Sequence, residues 1–590
     1  MAQLFTFAER QEPLPLTFPF TVVARDPSVK DLEPSSQERR ILRTRLDVPA
    51  SRLQPGPRGP RFHVVDFDAS THRLHPPASL TKGNKPAPGW GFEDRFDRAP
   101  DRTLLNDRHF HAQNVYAIAA HTLEVFESAL GRPVPWAFDS PHLYLVPTAF
   151  VEPNAYYSPD DQALLFGYFL AEGDDPVYTC LAHDIVAHET THAILDGLRN
   201  RFDLPGLPDQ AGFHEGFADI VALLSIMSAR QSIAALIGDG RSTRVAASEL
   251  TVPALRRSVL LTMGKQFGDA LHVRRGGGLR RSVELAPTTE WKDPANREWQ
   301  EPHRRGEILA AAVMRAFLHM WTHRLKPIIG DDSLDRERAA EEGARAAAHL
   351  LTMVIRAIDY CPPVEFEFDD FLTAVVASDR EVAPNDELGY RTAVTDGFAA
   401  FGIEPSGTID RVPQAEDRPV SRRYSYASLR SDPTEAFRFL WENSELLQGL
   451  ELDYYLHIEN VRPSVRVGPR GFVVSEAIVD YVQELICTRE ELEVLARIDD
   501  PGFAAPAEIP ADTSLKVFGG GTLVFDEFGS PKYHHLKRLR DWDRQRRRLE
   551  YLVRSGLWDT KRRLGFSYGA SLGQRFAQFH TPSATAGEDW

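Results

Sequence analysis

Apolar residues recur at helical spacing over several stretches and run in short blocks over others, and the two patterns divide the chain. Val115, Ile118, Ala119, Leu123 and Phe126 predict a helix over 111–130. Ile185, Val186, Ala193, Ile194 and Leu195 give a second helix its buried side, and Gly197 stops it. A third helix opens near His214, with Phe217, Ile220, Val221 and Leu224 at i, i+3, i+4 and i+7. Leu309, Val313, Ala316, Phe317 and Met320 mark a helix over 307–323. Leu350, Leu351, Val354, Ile355 and Ile358 mark one over 334–360, and two more are expected over 368–377 and 386–401. Strands are expected near 18–23, 62–67, 143–146 and 163–169. Strands thus precede residue 180 and helices follow it. The fold expected is α+β, with a β-rich upper lobe, an α-helical lower lobe and a cleft between them.

Punctuation suggests the boundaries. Residues 1–60 are rich in Pro, Arg and Ser and read as an N-terminal arm or small cap. Residues 61–405 form the main domain, 406–431 a linker, and 432–590 a mixed α/β C-terminal domain. In that last part helices are expected over 435–446 and 475–498, an extended stretch over 464–474 and a hairpin over 516–533. A basic helix carrying Lys537, Arg538, Arg540, Arg544, Arg546, Arg547 and Arg548 follows. It could take an acidic partner or nucleic acid, but its interspersed Asp541, Asp543, Trp542, Leu549 and Leu552 make it amphipathic and favour a solvated face packed on its own domain.

The chemistry sits in His188-Glu189-Thr190-Thr191-His192. On a helix His188 and His192 are one turn apart on one face, where two imidazoles can hold one Zn²⁺. Glu189 lies roughly 100° round the helix, placed to act as a general base on a water rather than as a ligand. H-E-x-x-H arises by chance in roughly one chain in twenty of this length, so context decides. Glu215 and Asp219 supply it: they are i, i+4 on the next helix, with Glu215 a third metal ligand and Asp219 an acceptor for the other ring nitrogen of His188. His109, His111 and His121 read as surface or satisfied polar residues, and Gly276-Gly277-Gly278, without a lysine or a strand-loop-helix frame, as a flexible turn.

H-E-x-x-H followed by Glu215-x-x-x-Asp219 resembles the gluzincin pattern, and the flanks are similar to thermolysin-like zinc metallopeptidases. The matching flanks are Asp184 one turn before His188, the run from His192 to Asp196 (H-A-x-x-D), Asn154-Ala155-Tyr156-Tyr157 ahead of Leu164-Leu165-Phe166-Gly167, and Glu301-Pro302-His303 before a helix. With residues 368–403 as the last two helices, the resemblance covers about 62 to 403. It implies a two-lobed catalytic domain with the zinc helix between the lobes, Asn154 and Ala155 holding a peptide in extended form, and Asp196 as a supporting carboxylate. It also implies Arg280 or Arg281 on the substrate carbonyl and a hydrophobic preference just after the cut. His303 would stabilise the oxyanion, with Glu298 or Glu301 fixing its tautomer. Three departures stand out. Gly206 occupies the place of the family's catalytic tyrosine, His214 that of an asparagine beside the glutamate ligand, and Ile226-Met227-Ser228 the region of the calcium carboxylates, so a double calcium site is not expected.

Composition narrows the partners. A 590-residue chain with 42% hydrophobic residues is long enough for several domains, and its net charge of −16 argues against general affinity for nucleic acid. Cys180, Cys361 and Cys487 are odd in number and far apart, which is no disulfide framework. The first residues carry Glu9 and Glu12 and no apolar core of a signal, and no stretch approaches a membrane span, so a cytoplasmic protein is expected, with signal-independent export left open. The leading expectation is a zinc endopeptidase acting on peptides or proteins. Two alternatives are a zinc-containing peptide-binding scaffold whose C-terminal domain recruits a protein partner, and a dedicated effector or toxin protease with one target.

Overall fold

The computed structural model describes residues 17–27, 30–32, 39–80, 94–170, 176–202, 204, 206–237, 242–262, 282–330, 332–406, 424–445, 447, 449–467, 471 and 473–555. The glycine run at 276–278, Arg280, Arg281 and most of the expected linker lie outside them. Helices and several separate sheets make a mixed α+β protein. Among the described residues no helix is long and apolar enough to cross a membrane.

Within the segment expected as an N-terminal arm or small cap, the described residues pack onto the main body. Strands β1 (Thr17–Val23) and β2 (Arg43–Pro49) pair antiparallel, Phe20 opposite Leu46. Phe18, Phe20, Val22, Leu46 and Val48 join the same buried core as helix α1 (Arg108–Leu130). Two groups pin this hairpin: Asn114 Oδ1 accepts the Val23 N–H at 2.9 Å, and the Arg25 carbonyl accepts the His183 N–H at 2.6 Å. Apolar alternation, unfavourable to expose, is what draws the segment in.

Strands β3 (Phe62–Val64), β4 (Leu143–Phe150), β5 (Ala155–Ser158), β6 (Ala163–Leu170) and β7 (Pro176–Tyr178) belong to one seven-stranded sheet. β3 and β6 run parallel to β4, while β5 and β7 are antiparallel to β6. Within that hairpin Tyr157 faces Leu164 in register. Helix α2 (His183–Leu198), which carries the H-E-x-x-H run, touches β5 on one side and α1 and α3 (Pro208–Ser228) on the others. Helices α4 (Pro302–Leu325), α5 (Arg336–Ala357), α6 (Phe368–Val382) and α7 (Tyr390–Ala399) complete the helical layer. Phe213 and Phe217 on α3 meet Phe371 on α6 through edge-on ring contacts.

After residue 424, α8 (Pro433–Glu442) leads into β8 (Tyr455–Val467), β9 (Val473–Thr488), β10 (Ser514–Phe525) and β11 (Pro531–Lys537), an antiparallel sheet in chain order. The helix expected over 475–498 is corrected: residues to Thr488 are strand, and only α9 (Arg489–Ala496) is helical. Both faces of β9 are buried. Ala477, Val479 and Tyr481 pack with Phe439 and Phe525, while Ile478 and Asp480 face the main body. A strand buried on both sides loses polar alternation, and its apolar set then also fits a helical period.

This sheet joins the rest of the protein through buried charge. Asp480 receives Arg199 Nη1 at 2.6 Å, Arg462 Nη2 and the Thr522 hydroxyl at 2.6 Å. Across the same seam the Tyr360 hydroxyl donates to Glu476 Oε1 at 2.6 Å, while Arg466 of the sheet pairs with Glu476 at 2.6 Å and Arg132 of the main body with Asp359 at 2.6 Å, each on its own side. The basic helix, α10 (Trp542–Arg554), finds its acidic partner in the same chain: Arg544 pairs with Glu365 at 2.6 Å and Arg547 with Glu367 at 2.7 Å. Lys537 adds contacts to Glu367 at 3.0 Å and Asp370 at 2.6 Å, and His535 one to Asp370 at 2.8 Å. Glu367, Asp369 and Asp370 cluster as metal ligands do, but these cations already serve that charge.

Candidate metal centre

Helix α2 is built to carry polar residues inward. The hydroxyls of Thr190 and Thr191, both fully buried, donate back to the carbonyls of Val186 at 2.6 Å and Ala187 at 2.7 Å, so these two of the three residues between the histidines are satisfied within their own helix. That leaves His188 and His192 facing one way, with ring centroids 4.6 Å apart. Pro208 starts α3 at its first position, where a missing N–H costs nothing, and seven residues on it presents Glu215. Pro302 starts α4 the same way, and the Glu301 side chain caps it by accepting the Arg304 N–H at 2.9 Å.

Three helix segments thereby converge. Nε2 of His188 and Nε2 of His192 lie 3.0 Å apart, and the Glu215 carboxylate is 3.5 Å from the first and 3.8 Å from the second. His303 Nε2 is 3.4 Å from Glu215 Oε2. Two imidazoles and one carboxylate, with donor atoms all within 4.8 Å of one another, fit a Zn²⁺ with three protein ligands. Calcium, which takes six to eight oxygens, does not suit two nitrogen donors.

Supporting contacts orient the donors. Asp219 accepts from His188 Nδ1 at 3.0 Å, so the ring presents Nε2. His192 Nδ1 meets His214 Nδ1 at 3.5 Å with the rings nearly parallel. Burial pushes His214 down to about 4, against the opposing charge of Glu215, so a neutral ring faces His192. Burial alone would also lower His188, but its hydrogen bonds to Asp219 and Glu215 hold it well above the ordinary value. Burial likewise opposes the charge on His303, yet Glu215 and the 2.7 Å contact to Glu301 raise it to about 9. The extra proton on His188 must leave when a metal binds.

Glu189 is buried and pushed up to about 8, burial being the first cause and Glu215 another. Its Oε2 accepts the Tyr157 N–H from β5 at 3.0 Å. The Tyr157 hydroxyl donates to Asp196 Oδ2 at 2.8 Å, so Asp196 anchors the edge strand and no histidine ring. Tyr157 is the residue sequence reasoning passed over: it sat in the quoted run, but nothing in a linear pattern says that a strand will meet the helix there. Asp184, at the start of α2, is pushed up to about 7 by burial and by Asp26.

The substrate-side candidates are less assembled. Asn154 is 4% exposed, and its Oδ1 accepts the Ala155 N–H at 2.9 Å while its carbonyl accepts the Gly167 N–H at 2.8 Å. Ala155 and Tyr157 alternate on the edge of β5 away from β6, since the Tyr157 N–H points to Glu189. Glu301, and not Glu298, holds His303; Glu298 pairs with Arg304 at 2.6 Å. Neither Arg280 nor Arg281 falls within the described residues.

No family model and no curated protein matches the chain.

Proposed function

We propose that the protein is a zinc-dependent endopeptidase of the thermolysin-like kind, cutting internal bonds of a peptide or protein and preferring a hydrophobic residue after the cut. One observation carries the reading. A three-ligand donor set of His188, His192 and Glu215 stands beside a carboxylate, Glu189, that is hydrogen-bonded to an edge strand but belongs to no ligand pair. A purely structural zinc site is closed by four ligands and has no use for such a base. The sheet on one side of α2 and the helices on the other support the two-lobed arrangement.

Bound zinc would supply Lewis-acid polarisation of the scissile carbonyl and acidify the attacking water. Each remaining step belongs to the chain. The edge of β5 lays the substrate alongside α2 as an added strand. Glu189 takes the proton of the attacking water and delivers it to the leaving nitrogen. With a dication held by His188, His192 and Glu215, the Glu189 carboxyl would fall from its metal-free value and could serve as a base near neutrality. His303, held by Glu301, donates from Nε2 to the developing oxyanion.

The test is digestion of an unbiased peptide mixture read by mass spectrometry, beside Glu189→Gln and a chelator. Cuts lost in both controls, with hydrophobic residues following them, support the proposal. Zinc-loaded protein that cuts nothing, or Glu189→Gln that cuts as well as the native chain, overturns it.

A further inference from the structure

Helices α3 and α4 meet backbone to backbone beside the site. A Cβ placed on Gly306 would lie 2.6 Å from the Gly216 nitrogen and 2.8 Å from the Gly212 carbonyl oxygen, and one placed on Gly216 would lie 2.6 Å from the Gly306 carbonyl oxygen. Every obstructing atom is main chain, so no rotamer change could make room. Glycine inside a helix costs about 0.5–1 kcal/mol relative to alanine, and here it falls at the point of closest approach.

That crossing is where the site is assembled. Gly216 follows Glu215 in sequence, and Gly306 lies one turn after His303 on α4. Across the contact His303 Nε2 reaches Glu215 Oε2 at 3.4 Å. A second interaction draws the same ends together: Arg305 Nε donates to Asp209 Oδ1 at 2.7 Å, and its guanidinium lies 4.5 Å from the Trp291 ring centre. The ion pair pulls, and the absence of side chains lets the helices close.

We propose that Gly306 and Gly216 are positioning residues that set how far His303 reaches over the metal ligands. The inference rests on the peptidase reading for its effect on rate but not for its geometry. A methyl group at 306 must push the helices apart by roughly 1 Å to restore ordinary contact distance. His303 then retreats, while His188, His192 and Glu215, on α2 and α3, keep their places. A displacement of about 1 Å at a reacting centre costs up to about 10²-fold in rate.

The experiment compares Gly306→Ala, His303→Ala and the double variant, measuring kcat, zinc affinity and zinc-loaded crystal structures. Expected are a fall in kcat on the order of 10- to 100-fold for Gly306→Ala, unchanged zinc affinity, and no further fall when the methyl is added to His303→Ala. The crystal structures should show the His303-to-Glu215 separation widened. An equal loss in the presence and absence of the imidazole, or an unchanged separation, overturns the proposal. If native protein cuts nothing, the peptidase reading fails, and the measured separation still decides this inference. Should Gly306→Ala not fold, Arg305→Lys, which weakens the pull without adding volume, must give the same histidine-dependent loss and the same widening.

Discussion

The main-chain N–H of Tyr157 donates to Glu189 Oε2 at 3.0 Å while the hydroxyl of the same residue donates to Asp196 Oδ2 at 2.8 Å. One residue of the edge strand therefore grips α2 at two points two turns apart. Tyr157→Phe removes only the outer grip and leaves a buried carboxyl without its donor. Stability should fall by about 1–3 kcal/mol, read as a lower urea midpoint, while cleavage changes less than about tenfold because the main-chain bond survives. An unchanged midpoint would show that the Asp196 bond contributes nothing in solution.

His214 stands where it can accept the Nδ1 proton of His192. His214→Leu should weaken zinc binding by about 10- to 100-fold, as loss of an outer-shell acceptor does elsewhere. His214→Asn, whose amide oxygen can accept the same proton, should stay close to native. Competition against a chromophoric chelator measures both, and equal affinities for Leu and Asn would remove His214 from the site's support.

Asp480 sits between two guanidiniums, Arg199 from the end of α2 and Arg462 from β8. Asp480→Ala removes the carboxylate the two buried guanidiniums share, which should cost about 3–5 kcal/mol in guanidinium denaturation. Added salt should not rescue or mimic the loss, because buried pairs are little screened. A cost below about 1 kcal/mol would mean that the sheet and the main body are not joined through this carboxylate.

His111 is buried on α1 with Nε2 at 2.9 Å from the Leu105 carbonyl, and burial pushes it down to about 4 from an ordinary 6.5. The folded value lies below the unfolded one, so the unfolded chain binds the extra proton between them. The stability this residue contributes is complete above pH 6.5 and is lost as pH falls toward 4. His111→Asn removes that uptake. Its thermal midpoint should therefore drop less than the native one between pH 7 and pH 5; an equal or larger drop would contradict the assignment.

Local periodicity made much of the candidate metal centre legible. His188 and His192 share a helix face, as do Glu215 and Asp219, because residues four apart on an α-helix always do. The helices over 108–130, 302–325 and 336–357 and the strands at 17–23 and 163–170 were readable for the same reason. Three features resisted. β9 carries Ile478, Val479, Tyr481 and Val482 in a run that fits helix and buried strand alike. The N-terminal hairpin looked like an arm because its Pro and Arg content hides how completely Phe20 and Val22 are buried. The basic helix gave no sign that Glu365 and Glu367, some 180 residues earlier, would take its charge.

The amino-acid sequence by itself determined which chemical groups are present and which of them share an element's face, since both follow from covalent order and the pitch of the helix. Only the tertiary structure decided that the two co-facial pairs point at one another, that Tyr157 meets Glu189, that Gly306 and Gly216 meet where α3 and α4 cross, and that the C-terminal sheet is tied to the main body by buried ions. Those outcomes depend on contacts between residues far apart in the chain, and such contacts are settled by packing the whole core at once, which leaves no period in the sequence to read.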